Sequence, residues 1–164
     1  MEEEKSVWQG GPSQILNLHI FLLCGVTAAA LLIIAFYFRD KLGVPTASIV
    51  GGAAIIPIVA ALSKWLQVNC IRYELTTERL RVRSGVLTRK TDEIELYRVK
   101  DYVLQEPFAL RMFGLGDVVL QTTDDANPVV LLKAIHRSDS LRDEIRKYVE
   151  IRRDAKRVRI TEME

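Results

Sequence analysis

The chain has 164 residues, with 23 lysines and arginines against 21 aspartates and glutamates, so its formal net charge at pH 7 is only +2. This length allows one water-soluble domain. The near-neutral charge excludes a surface built as a whole for a strongly acidic or basic partner. Two cysteines, Cys24 and Cys70, are too few for a disulfide framework or a metal site, and no cofactor or metal is predicted.

Two long segments without charged residues follow an acidic N-terminus, over residues 20–38 and 44–62. At about 1.5 Å per residue, each is long enough to cross about 30 Å of bilayer hydrocarbon. So short a chain could not surround two such helices in a soluble core, and the acidic start argues against a cleaved signal peptide. We therefore predict two transmembrane helices, the second kinked by Pro57.

The link between these segments, residues 39–43, is short enough to require a tight turn. The helices are therefore expected to form an antiparallel hairpin with both chain ends on one side of the membrane. Basic residues are more numerous on the side of the chain ends than in the link, and the positive-inside rule puts that side in the cytoplasm. The prediction is a multi-pass protein whose N- and C-termini are both cytoplasmic.

The pattern changes to alternation after the second apolar segment. Ile71, Tyr73 and Leu75 alternate with polar residues, as expected of a strand with one buried face. A turn at residues 77–78 leads into a strand at 79–83, and Ser84-Gly85 predicts a two-residue hairpin turn into residues 86–90. A bulge or register break is expected before Ile94. Further strands are predicted at residues 94–96, 102–105, 117–123 and 129–134.

The C-terminal region predicts a helix from about Ser138, because Leu141, Ile145, Tyr148 and Val149 form one apolar stripe at helical spacing. Five to seven strands followed by one amphipathic helix indicate a small curled sheet capped at one end. The final basic run is expected to be a solvated helix face rather than a binding element.

Several short segments carry a resemblance to a known family. They are RYELT at residues 72–76, Arg79-Leu80, Gly85, RVKD at 98–101, Gln105, and RMFGLG at 111–116. Together they resemble the bacterial pleckstrin-homology-like (PH-like) family of membrane proteins, the YdbS-like group. Relatives often have a proline where this chain has Glu95, at a strand edge. The resemblance covers nearly the whole chain, since that family also places two transmembrane helices ahead of the domain.

The resemblance implies a membrane α-helical hairpin plus a β-rich soluble domain, a PH-like curled β-barrel or sandwich capped by a C-terminal α-helix. It also implies the bacterial inner (plasma) membrane as the location, but no ligand, because a fold alone does not determine function. The predicted organisation is an N-terminal cytosolic segment (1–14), a two-helix transmembrane hairpin (15–68), a PH-like domain (69–150) and a basic C-terminal tail (151–164).

The candidate site is a cationic strand face. Alternation puts Arg79, Arg81 and Arg83 on one face. If Ser84-Gly85 closes a two-residue turn, Arg79 lies opposite Lys90, and four cations share a surface. Like charges that face each other across a hairpin cost stability unless they are neutralised. Two sources of neutralisation stay open: the cross-strand carboxylates Glu78, Glu93 and Glu95, or anionic lipid headgroups.

Two functions follow from these features. The first is a membrane-tethered PH-like binding or scaffold module on the cytosolic face, which engages anionic lipid headgroups or a partner membrane protein. The alternative is a structural subunit of a homo- or hetero-oligomeric membrane complex without a ligand site of its own. Catalysis is disfavoured because His136 has no nucleophile in view, and nucleic-acid binding because the basic tail lacks interleaved aromatic residues.

Overall fold

The computed structural model describes residues 4–39 and 44–161. The chain forms two compact units, a helical one of residues 14–67 and a β-rich one in which residues up to 13 join those from 68 onward. Apart from Arg39, the predicted turn at residues 39–43 lies outside the described residues.

The helical unit begins with a 3₁₀ turn, Gln14–Asn17, and continues as helices α1 (Leu18–Tyr37), α2 (Val44–Ala53) and α3 (Ile55–Asn69). Two stretches, Gln14–Tyr37 and Ala47–Asn69, are long and apolar enough to cross a membrane. In the apolar 18-residue segment of each stretch, only 6% is buried. A core helix of a soluble protein would be mostly buried. These helices instead expose their apolar side chains.

Pro57 was predicted to kink the second apolar segment, and the structure has an interruption of the helix three residues before this proline. The helix breaks at Ala54, between α2 and α3. Proline has no N–H to donate to the carbonyl of Ala53, one turn earlier, so the regular hydrogen-bond ladder cannot continue there. The Ala54 N–H instead donates to the Gly51 carbonyl at 3.2 Å, a tighter turn than an α-helix makes.

Polar contacts tie the start of α1 to the end of α3. The side-chain amide of Gln14 donates to the Trp65 carbonyl, and that of Asn17 donates to the Lys64 carbonyl, each at 3.1 Å. Asn17 is only 6% exposed. These bonds add side-chain donors to two carbonyls near the end of α3.

The β-rich unit contains two antiparallel sheets. The first sheet has the order β1-β2-β3-β4, and the second sheet has the order β5-β6-β7. A 3₁₀ turn, Leu96–Arg98, connects the sheets, a short helix α4 (Phe108–Arg111) precedes β6, and the chain ends in helix α5 (Ser138–Thr161). The strands are β1 (Ser6–Gly10), β2 (Arg72–Thr76), β3 (Arg79–Ser84), β4 (Lys90–Glu95), β5 (Val99–Gln105), β6 (Leu115–Thr122) and β7 (Val129–His136).

Strand β1 was not predicted as a strand. It pairs antiparallel with β2, with Gln9 opposite Glu74 and Gly10 opposite Tyr73. Its five residues carry little apolar alternation, but Trp8 packs against the core. The whole helical unit is therefore inserted between two neighbouring strands of one sheet.

The alternation predicted for β2 and β3 is confirmed, and so is the apolar stripe predicted for the C-terminal helix. Leu75 and Leu80 are fully buried, and Val82 packs against the same core. Helix α5 covers that core with Ile145, which is fully buried, and Val149, which is 1% exposed. The two sheets and α5 thus share one hydrophobic core.

The predicted two-residue turn at Ser84-Gly85 is wrong. Strand β4 begins at Lys90, which lies opposite Ser84, so the β3–β4 loop covers residues 85–89. The sequence allows two registers between β3 and the strand that follows it. In the register that a two-residue turn requires, Leu87 would lie opposite Val82. The observed register pairs Leu80 with Ile94, both essentially buried, and leaves Leu87 98% exposed in the loop. A shift of one residue would turn Ile94 to the solvent face, so core burial decided the pairing.

The expected arrangement was a curled β-barrel or a sandwich, and of these two the closed barrel is contradicted. Among the described residues, β4 pairs only with β3, and β5 pairs only with β6. The 3₁₀ turn between β4 and β5 ends the first hydrogen-bonded ladder before the second begins. The domain is therefore a β-rich unit of two open sheets covered by a helix.

Two leucine truncations test the observed register. Leu75→Ala is expected to lower the free energy of unfolding by about 2–5 kcal/mol, because it leaves a cavity in the core. Leu87→Ala, at the exposed loop, is expected to change it by less than about 0.5 kcal/mol. Both are measured by denaturation of the detergent-solubilised chain in a Trp65→Phe background, where Trp8 is the remaining one of two tryptophans and reports on the β-rich unit. Equal losses would contradict the register.

Candidate functional site

The three arginines of β3 occupy one face, as alternation predicted. Leu80 and Val82 point to the core, and Arg79, Arg81 and Arg83 lie on the opposite face of the strand. Lys90 does not lie opposite Arg79. Because the loop has five residues, Lys90 lies opposite Ser84, at the other end of the hairpin.

Carboxylates within the domain neutralise two of these arginines. Arg79 contacts Glu93 at 3.1 Å, and Arg81 contacts the same carboxylate at 3.2 Å. Arg81 also contacts Glu4, which precedes β1, at 3.3 Å. Of the three carboxylates considered, Glu93 is therefore the partner of Arg79 and Arg81.

The other two carboxylates have different partners. Glu95 lies opposite Arg79 in register, but its ion pair is with Arg98, at 3.3 Å. Glu78 pairs with Arg152 of helix α5, at 2.6 Å. Register alone therefore does not decide which charges pair, because long side chains reach diagonally across the sheet.

Pairing holds Glu93 in its charged form. The hydrogen bond from Arg79, helped by the nearby charge of Arg81, lowers the pKa of the Glu93 carboxyl below its ordinary value of 4.5. The same hydrogen bond raises the pKa of the Arg79 guanidinium. Both groups are charged at neutral pH, so this part of the face has little charge left for an external anion.

The remaining two candidates are more exposed. The side chains of Arg79 and Arg81 are 40% and 23% exposed, whereas those of Arg83 and Lys90 are 57% and 69% exposed. Arg83 contacts Glu74 at 3.3 Å, and Lys90 contacts Asp92 at 2.9 Å. Accessible positive charge therefore increases towards the 85–89 loop. A role of these four residues in headgroup binding stays a prediction.

Sequence reasoning missed Arg72, which lies directly opposite Arg83 across the β2–β3 pair. The signal was available, because the correctly predicted turn at residues 77–78 determines this register. The two arginines border an open pocket of about 430 Å³. It is lined by Gln9, Gly10, Arg72, Tyr73, Glu74 and Arg83.

The basic residues near the C-terminus belong to helix α5, which continues to Thr161. Arg152 donates to the Thr77 carbonyl at 2.9 Å, and Arg153 donates to the Val99 carbonyl. The Lys156 ammonium lies 3.2 Å from the centre of the Tyr97 ring. These three cations are therefore engaged with the domain itself.

His136 has a structural contact. It ends β7, and its Nδ1 lies 3.1 Å from the Gly114 carbonyl. Gly114 has a φ of +64°, a conformation that glycine adopts without strain, and it leads into β6. The contact connects the end of β7 to the residue that precedes β6.

Comparisons with known proteins bear on this fold. The family profile described as bacterial PH domain matches residues 17–149, most of the chain. A search of the curated proteins found no match. A crystal structure of a DUF1696 family protein with a pleckstrin-homology domain, from Shewanella loihica PV-4, is 14% identical, with a TM-score of 0.40. That match covers 50% of this chain and 73% of the other.

The charge pairing at Glu93 predicts a pH dependence. A carboxyl whose pKa is lower in the folded than in the unfolded state stabilises the fold above the unfolded pKa, and this stabilisation is lost as the pH falls through the folded pKa. Acidification below pH 4.5, the ordinary pKa of this group, should therefore lower the melting temperature of the wild type more than that of Glu93→Gln.

The measurement is thermal unfolding followed by Trp8 fluorescence in the Trp65→Phe background. Glu106→Gln is a matched control, since Glu106 is exposed and forms no ion pair with a described residue. Identical acid profiles for Glu93→Gln and the wild type would contradict the assigned pairing.

Proposed function

Because this chain belongs to the bacterial PH domain family, we propose that it is a membrane-anchored binding or scaffold module on the cytosolic face, engaging anionic lipid headgroups or a partner membrane protein. PH-like domains are generally binding modules rather than enzymes. The proposal depends on one observation, the insertion of two exposed apolar helices between β1 and β2.

The apolar surface of these helices supports a lipid environment. Leu23, Phe36 and Ile56 are 66%, 81% and 71% exposed. Soluble monomers rarely expose contiguous apolar surface of this extent. In a bilayer the same side chains contact acyl chains, while the helices satisfy their own backbone hydrogen bonds.

Short connections would hold the β-rich unit at the membrane surface. Only Cys70 and Ile71 separate α3 from β2, and residues 11–13 separate β1 from the helical unit. An extended chain reaches about 3.5 Å per residue, so neither connection is longer than about 15 Å. Each exposed cation close to an anionic leaflet contributes about 1 kcal/mol of attraction.

The anchoring test is cell fractionation. The full-length chain is expected in the membrane pellet after alkaline carbonate washing, and in solution only after detergent is added. Leu23→Lys with Ile56→Lys is expected to weaken insertion, since a lysine at the centre of a span costs about 3 kcal/mol. Recovery of the wild type in the supernatant without detergent would overturn the proposal.

Orientation is tested by labelling single cysteines after both native cysteines are replaced by alanine. Asp125→Cys, in the loop between β6 and β7, is expected to react with an impermeant maleimide in inside-out vesicles but not in intact spheroplasts. Arg39→Cys should show the opposite pattern, as expected for a hairpin with both termini in the cytoplasm. Labelling of Asp125→Cys from outside would contradict the cytosolic placement.

An apolar row on the second sheet favours the alternative, a structural subunit of an oligomeric membrane complex. Val103, Val119 and Leu131 are paired in series across β5, β6 and β7, on the face away from the core. Val103 and Leu131 are 38% and 39% exposed. A row of this kind suits contact with another protein.

Native mass spectrometry in detergent tests this alternative. If the row joins copies of the chain, the wild type should give a discrete oligomer, and Leu131→Asp should dissociate it, because the interface would bury an unpaired charge. Thr88→Asp adds the same charge in the 85–89 loop and should leave the oligomer intact. A wild-type monomer at high concentration would count against self-association.

A further inference from the structure

The end of the first sheet where β1 and β3 finish and β2 and β4 begin is called here the attachment end. It contains Gly10, Arg72, Ser84 and Lys90. Both connections to the helical unit leave the sheet here, after Gly10 and before Arg72. Because the strands are antiparallel, the 85–89 loop lies at the same end.

From this geometry we infer that the attachment end is a binding site for the phosphate group of an anionic phospholipid. Arg72 and Arg83 bind the phosphate, and the loop tip, Val86 and Leu87, enters the boundary between headgroups and acyl chains. This inference rests on the proposed membrane anchoring and specifies the site and its ligand.

The two arginines leave an excess of positive charge at the pocket. They lie directly opposite each other, at a distance where like charges are destabilising unless neutralised. Glu74 neutralises one of them through its contact with Arg83 at 3.3 Å. Its other oxygen accepts a hydrogen bond from Gln9, at 3.3 Å. Arg72 forms no ion pair with any residue that the structure describes.

The pocket suits a phosphate in size and chemistry. Its volume of about 430 Å³ exceeds that of a single phosphate group and leaves room for the glycerol beside it. Guanidinium groups present paired donors that match two phosphate oxygens, and such charge-assisted hydrogen bonds are among the strongest that side chains make. A phosphate diester between Arg72 and Arg83 would neutralise the charge that Glu74 leaves over.

The loop tip indicates a membrane rather than a soluble phosphate. Leu87 is 98% exposed and Val86 44% exposed, and Gly85, with a φ of +110°, forms the turn that leads into this tip. The neighbouring side chains of Arg89 and Lys90 are exposed and basic. An apolar tip surrounded by cations suits the boundary between headgroups and acyl chains. A free phosphate would satisfy the arginines but not Leu87.

The test uses the full-length chain in lipid nanodiscs. Leu87→Cys, in the cysteine-free background, carries an environment-sensitive fluorophore, and spin-labelled acyl chains act as quenchers. In discs of phosphatidylcholine with phosphatidylglycerol, the position-87 probe is expected to shift to the blue and to be quenched. A probe at Lys5→Cys, which precedes β1 at the opposite end of the first sheet, is expected to show neither change.

Arginine variants assign the headgroup contact. Arg72→Gln with Arg83→Gln is expected to raise the phosphatidylglycerol content needed for half-maximal quenching by about fivefold or more. Arg142→Gln with Arg146→Gln removes two cations from α5 and should leave that content unchanged. Replacement of Arg72 and Arg83 by lysine should give an intermediate result, because charge remains but paired donors are lost. Trp8 fluorescence verifies that each variant is folded.

Three results would overturn the inference. If the position-87 probe is not quenched although the chain is inserted in the discs, the loop does not enter the membrane, and the proposed anchoring still stands. If Arg79→Gln with Arg81→Gln has the same effect as the Arg72 and Arg83 variant, the pocket is not the site. If inorganic phosphate binds through Arg72 and Arg83 in detergent without quenching in discs, the ligand is a soluble phosphate.

Discussion

Strand β1 pairs with β2 although the whole helical unit separates them in the chain. This pairing closes a long loop and therefore has an entropic cost, which the backbone hydrogen bonds and the packing of Trp8 against the core offset. Because β1 ends and β2 begins at the same end of the sheet, the pairing puts both connections to the apolar helices side by side. The β1–β2 pairing therefore also determines which ends of β3 and β4 lie near these connections.

Charge on the first sheet is distributed with respect to the same end. At the far part of β3, Glu93 and Glu4 form ion pairs with Arg79 and Arg81. At the attachment end, cations outnumber carboxylates, and the most exposed leucine of the β-rich unit lies in the adjacent loop. The arginines of the cationic strand are thus more buried and more closely paired at its start, and more exposed at the attachment end.

The basic C-terminal run shows the same distinction. In the sequence it is a row of charges without a stated partner, whereas in the structure Arg152 and Arg153 donate to carbonyls of the domain. Helix α5 therefore combines an apolar stripe, which covers the core, with basic side chains that hydrogen-bond to loops and strand ends beside it. These contacts leave fewer free cations than the composition of the segment indicates.

The amino-acid sequence by itself determined the elements that depend on local pattern. The two apolar segments, the break near Pro57, the alternation of β2 and β3 and the stripe of α5 all follow from periodicity and backbone sterics, which need no knowledge of distant residues. Only the tertiary structure decided that β1 is a strand and that the described strands form two open sheets. It also decided the register of β3 and β4, in which Ile94 lies opposite Leu80 instead of Leu87 opposite Val82. These features depend on which distant residues share the core. Trp8 packs against core residues that come after the helical unit in the chain, and burial of Ile94 opposite Leu80 outweighed the local turn signal at Ser84-Gly85.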